Sequence, residues 1–242
     1  MRHPYHGHHH IYRSSVHLAA TVGIVALPFL FFLVFSRVAH ITTASLFGDI
    51  AVSLVRITAA YLLAAILAWF LAVGLYRGRR ALVALPLFDV LQSFPTFAVL
   101  PAVVGLWGAS TMTVIIFLVV TIIWPIFFSI VTSLKFIERD WEEAVTISRL
   151  SGFAYLEYFL WPASVPGLVT GSLIGLGEAW EAVVATEIIV NAPHGLGNFF
   201  STHSTSSSTT LFGILGLLLL IFVVNKLIWL PLLEKSHHMM EE

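Results

Sequence analysis

The chain has 242 residues, 58% hydrophobic and only 10% charged, with a mean hydropathy of +0.93; soluble domains carry about 25% charged residues, so a water-soluble fold is excluded. A formal net charge of −1 leaves no basic footprint for nucleic acid. Cysteine is absent, which excludes disulfides, thiolate metal sites and cysteine nucleophiles.

A helix needs about 20 predominantly apolar residues to cross the hydrocarbon core. Six segments meet that length, near 17–36, 50–76, 82–106, 112–134, 165–190 and 210–233, with no long polar stretch between them. The expected fold is therefore all-α: one polytopic membrane domain over 17–233, preceded by a tail at 1–16 and followed by one at 234–242. The N-terminal tail is rich in histidine (His3, His6, His8, His9, His10), and His237 and His238 lie in the C-terminal one. Short histidine tracts bind metal in some proteins, but terminal ones are more often disordered or added during cloning, and no metal role is assigned. No A-x-A-like cleavage site follows the first apolar run, which is read as a retained span.

The third span is the most broken, with Pro86, Pro95 and Pro101. Proline inside a membrane helix is tolerated where neighbours or water satisfy the freed backbone, which places this span inside the bundle and makes Ser93 and Pro95 candidates to line a path. Asp89 lies in the same span, and a helix end near the cytoplasm is its plain explanation. Arg77, Arg79 and Arg80 follow span two, Lys135, Arg139 and Arg149 follow span four, Lys226 and Lys235 lie near the end of span six, and Arg2 and Arg13 precede span one. Cytoplasmic loops retain such residues, so both termini are expected in the cytoplasm. The opposite loops, 40–48, 107–111 and 191–209, hold no lysine or arginine; Arg37 is the exception on that side.

The long loop 136–164 between spans four and five has helical periodicity in its first half. Ala144, Ile147 and Leu150 share one face, with Glu142, Glu143 and Arg149 away from it. Gly152 can stop that helix, and a second short one is expected from Phe153 to Trp161 before Pro162. Periodicity alone is equally met by a charged loop resting at the interface. Span five carries Glu178, Glu181 and Glu187, and intramembrane acids are functional candidates by default. The plain alternative pairs the first two with Arg56 or Asn225, or sets them at a subunit interface. The segment 191–209 is uncharged and serine-rich; its first part, Gly195 to Phe200, is a candidate to cap the path.

Several of these residues carry a family resemblance. Glu143-Ala144-Val145, followed by Pro162 at the expected separation, resembles the signature loop of binding-protein-dependent importer permeases, with two departures: Arg149 stands where a glycine is expected and Trp161 replaces a leucine. Ser53-Leu54 with Arg56, Gln92-Ser93-Phe94-Pro95 through Leu100-Pro101, Gly175-Leu176-Gly177, Ala179-Trp180, Thr186-Glu187-Ile188 and Gly195-Leu196-Gly197 extend the resemblance over roughly 50–233, toward the nitrate, sulfonate, taurine and bicarbonate branch. It implies a multi-pass permease of a bacterial-type inner membrane, itself without enzymatic activity. The expected substrate is a small anion delivered by an external binding protein. Two copies of an ATP-binding subunit are expected to dock on Glu143, Ala144, Ile147, Arg149, Leu150 and Gly152, and a second permease chain, identical or not, completes a twofold assembly. No G-x-x-x-x-G-K-[ST] loop occurs, so no cofactor is expected in this chain and ATP belongs to the partner. An ATPase-independent transporter or channel using Glu178 and Glu181 for ion coupling is the alternative. Two acids facing the path would repel an anion, so they are expected to point away from it or be protonated, unless the substrate is cationic or neutral.

Overall fold

The computed structural model describes residues 8–38, 40, 43–93, 95–137, 141, 143, 145, 147–233 and 235, with side chains from residue 22 onward except those of Val25, Thr43 and Arg80. Its helices are α1 (His8–Val38), α2 (Thr43–Leu75), α3 (Gly78–Gln92), α4 (Thr96–Trp107), α5 (Thr111–Lys135), α6 (Gly152–Tyr155), α7 (Trp161–Val190), α8 (Leu196–Thr202) and α9 (Ser207–Val224). Strands are absent among the described residues. The expected terminal histidines lie outside the residues whose side chains are described.

Three helices, Ala44–Leu75, Thr111–Lys135 and Ser207–Leu233, are long and apolar enough to cross a membrane, and Ala81–Gln92 with Thr96–Trp107 would make a fourth if counted as one span. That pair bends by 84°. Proline explains the break: Pro95 has no N–H to continue α3 and disfavours helix in the residue before it. Ser93 caps the broken end, its Oγ donating to the Asp89 carbonyl at 2.9 Å. Asp89 is thus at a helix end, but at the break within the predicted third span. The first predicted span falls on the shorter apolar helix Val22–Val38 and the fifth on α7, which is 30 residues long and carries the three glutamates; neither is among the helices long and apolar enough to cross.

At the centre of the bundle α5 runs along α7, and α2 lies against both; α1 packs with α9. Small residues allow the close approach. On α2, Ala60, Ala64, Ala68 and Ala72 are fully buried and recur every fourth position, one narrow helical stripe. On α7, Gly167, Gly171 and Gly175 have the same spacing and face α5. A Cβ at Gly171 would lie 2.5 Å from the Ile126 Cα, and one at Gly175 would meet Ile122 at 3.2 Å. The two backbones are therefore in direct contact, the small-residue packing that joins helices where lipid supplies no hydrophobic driving force. Into this seam α5 turns Ile122, Ile126 and Ile130, all fully buried.

Candidate functional site

The loop joining α5 to α7 starts and ends on this locked pair. Its first helical stretch stops at Arg149, whose backbone is left-handed (φ +50°), with the Leu150 N–H bonded to the Val145 carbonyl at 3.3 Å. This is a Schellman-type end, usually closed by glycine. Gly152, the expected stop, instead opens α6 from a second left-handed position (φ +60°). The departure at Arg149 from the family's glycine thus falls where glycine is favoured on steric grounds, and an L-residue there costs about 1–2 kcal/mol.

The second short helix does not end at Pro162. It runs from α6 through a π turn, Leu156–Leu160, directly into α7. A π turn absorbs the local mismatch in the hydrogen-bond ladder, here just before a proline that lacks an N–H. Trp161, the other departure, stacks edge-on against Trp69 of α2 at 5.7 Å, while Trp69 Nε1 donates to Ser164 Oγ at 2.9 Å. The Tyr76 and Tyr155 hydroxyls meet at 3.1 Å, tying the end of α2 to α6.

The expected apolar face of the loop is divided. Val145 packs against the core and Leu150 is half-buried, but Ile147 is 82% exposed. Phe136, Trp141, Phe153 and Tyr158, on and next to the loop in sequence, are exposed as well, and so is Glu143. Ala144 lies outside the described residues. Exposed apolar patches of this kind mark protein or membrane contacts.

A second polar constellation sits at the other end of α2. Asp49, Ser53 and Arg56 recur at i, i+4 and i+7 and so share one face. Opposite them α7 supplies Glu187, which has no exposed surface. Its Oε1 accepts from Arg56 Nη1 at 2.6 Å and from Ser53 Oγ at 2.8 Å, and its Oε2 accepts from the Gly197 N–H at 2.8 Å. Ser53 Oγ in turn accepts the Leu196 N–H, and Asp49 Oδ1 accepts the Gly195 N–H, both at 2.8 Å. Arg56 Nη1 also donates to the His194 carbonyl at 2.8 Å, while its Nε is buried without a partner among the described residues. The free N–H groups at the start of α8 are thereby satisfied by side chains of α2 and α7. A Cβ at Gly195 would strike the Glu187 carboxylate at 2.5 Å, which accounts for the Gly-Leu-Gly motif.

The candidate residues therefore separate. Glu187 belongs to this buried latch and presents nothing to a path within the protomer. Glu178 and Glu181 are exposed, and among the described residues neither has an ion-pair partner; Arg56, one of the partners considered for them, is taken by Glu187. Ser93 and Pro95 are exposed at the break between α3 and α4. Sequence reasoning missed the glycine stripe of α7, whose signal was the repeated four-residue spacing, and the pairing of Arg56 with Glu187, for which no local signal exists.

Helices tied by small-residue packing, three of them long and apolar enough to cross a membrane, define a multi-pass membrane protein. The chain belongs to the family described as the binding-protein-dependent transport system inner membrane component, whose pattern matches residues 60–230. It is 33% identical over 192 residues to the nitrate import permease protein NrtB of Leptolyngbya laminosa, covering 77% of this chain and 68% of that one. It is 29% identical to the bicarbonate transport system permease protein CmpB of Synechococcus elongatus over 156 residues, and 31% identical to the taurine transport system permease protein TauC of Escherichia coli over 157; each match covers 64% of this chain and 56% of the relative. The chain thus spans about two thirds of the first relative and little more than half of the other two.

Proposed function

We propose that this chain is the membrane-spanning subunit of an ATP-binding-cassette importer for a small anion. An external binding protein delivers the solute, and a separate ATPase docks on residues 143–152. The names of the relatives support the anion. The observation that carries the docking is the exposed surface of Trp141, Ile147 and Phe153, held between helices whose backbones touch. A floppy connection would absorb the motion of a closing ATPase, whereas contact along α5 and α7 passes it to the spans. Two such chains face two ATPases, with both termini in the cytoplasm, a reading that the arginine and lysine distribution supports.

The experiment is affinity purification from native membranes in mild detergent, with the associated proteins identified by mass spectrometry. The unaltered chain should bring an ATPase with it. Ile147→Asp with Phe153→Asp should lose that ATPase while the chain still accumulates in the membrane. Recovery of an intact chain without any ATPase defeats the importer reading. The exposure of Glu178 and Glu181 then favours the second one, an ion-coupled transporter using those acids.

A further inference from the structure

A shallow, mostly open groove of about 320 Å³ runs along the outer face of the seam between α5 and α7, lined by Phe128, Ser129, Thr132, Ser133, Pro166, Gly167 and Thr170. Two of its hydroxyls are spent on the backbone: Thr132 donates to the Phe128 carbonyl and Ser133 to the Ala163 carbonyl, both at 2.8 Å. Those of Ser129 and Thr170 make no hydrogen bond among the described residues. Among the described residues no charged side chain lines the groove.

The groove faces away from the centre of the bundle. Ser172 points to α2, its hydroxyl 3.0 Å from that of Tyr61; residues two apart on a helix diverge by about 200°, so Thr170 lies on the far side. Ile174, Gly177, Glu181 and Ile188 continue the Thr170 side of α7, and all are exposed. Exposed surfaces elsewhere in the bundle are more uniformly apolar. The exposed residues of α9 include Leu211, Phe212, Leu215, Leu218 and Phe222, and those of α2 include Leu62, Leu63, Ile66 and Phe70. A stripe with hydroxyls at one end and a glutamate further along is the surface that does not suit lipid.

We propose that this groove is a subsite for a small oxyanion on the transport route, the hydroxyls of Ser129 and Thr170 donating to the anion's oxygens. The proposal rests on the importer reading and names where the solute pauses. Neutral hydroxyl donors satisfy an anion that has shed part of its water without adding a fixed positive charge, so it can leave as readily as it entered. The glutamates do not forbid this. Glu178 and Glu181 are 8 and 11 residues further along α7, about 12 and 16 Å at 1.5 Å per residue. Both distances exceed the Debye length of about 8 Å at physiological salt, so in a watery path their repulsion at the groove is largely screened.

Because the chain has no cysteine, single thiols report on the groove directly. Thr170→Cys and, separately, the near-isosteric Ser129→Cys are exposed in membranes to two charged methanethiosulfonate reagents, one bearing a sulfonate and one a quaternary ammonium. Leu218→Cys on α9 serves as the lipid-facing control. Each rate is divided by that of the same reagent with a free thiol. Both groove thiols should react several-fold faster than the control, and faster with the sulfonate reagent than with the ammonium one. Groove thiols as inert as the control, or faster with the ammonium reagent, overturn the subsite. The rates are read whether or not an ATPase co-purifies, so failure of the groove and failure of the importer reading are told apart.

Discussion

Arg56 and Glu187 stand 131 positions apart and meet in a site from which solvent is excluded. Replacing a buried pair with apolar groups is often neutral, but removing one partner strands the other charge and costs about 3–5 kcal/mol. Glu187→Gln should therefore lower the thermal unfolding temperature in mild detergent well beyond the effect of an ordinary surface change. Adding Arg56→Met should recover much of the loss, because the introduced amide carbonyl still accepts from Ser53 and the Gly197 N–H while the stranded cation is gone. If the single variant melts with the unaltered protein, the latch contributes nothing. Little of this was legible in advance. Ser53, Arg56 and Glu187 were each picked out by motif, but a motif names positions, not partners, and Glu187 was grouped with the path glutamates because all three share a span. Arg149 is the converse case: the sequence marked a missing glycine, and only the backbone shows the left-handed turn that makes glycine the usual occupant.

Helices α5 and α7 are joined by contact between their backbones, so their rigidity depends on the absence of side chains. Gly171→Ala gains about 1 kcal/mol of helix propensity, but its methyl group would sit 2.5 Å from the Ile126 Cα, and a backbone atom cannot swing aside. Overpacking of that kind costs about 1–3 kcal/mol, so the variant should be less stable and should transmit less stimulation to an associated ATPase. Gly74→Ala, where the added methyl meets nothing within 4 Å, should be neutral or slightly stabilising. Equal behaviour of the two variants in thermal unfolding would remove the case for a rigid pair. At this scale the helices themselves were readable, since long apolar runs dictate them. The break in the third span was readable in kind from its prolines, but not its angle. The path from α6 into α7 was misjudged at Pro162, because a π turn just before it leads the chain into α7 and has no sequence signature as plain as a proline's.

For the molecule as a whole, orientation is set by where the cations lie. Arg77 and Arg79 follow α2, Lys135 closes α5, and Lys226 lies near the far end of the last helix, whereas the turns at 108–110 and 191–206 hold no lysine or arginine. Moving such charges across a bilayer during insertion is costly, and the bias of short loops decides which way the bundle points. Fusions of alkaline phosphatase and of a fluorescent protein truncated after Ile137 and after Ser204 test this. The first should fluoresce without phosphatase activity and the second should show the reverse, because the phosphatase folds only outside the cytoplasm and the fluorescent protein only within it. That result puts the exposed surface of Trp141, Ile147 and Phe153 on the side where ATP is found, and the Arg56–Glu187 latch with α8 on the side from which a binding protein would approach. Opposite signals would place the projecting loop outside the cell, beyond the reach of any cytoplasmic ATPase, and the coupling role would fall with them.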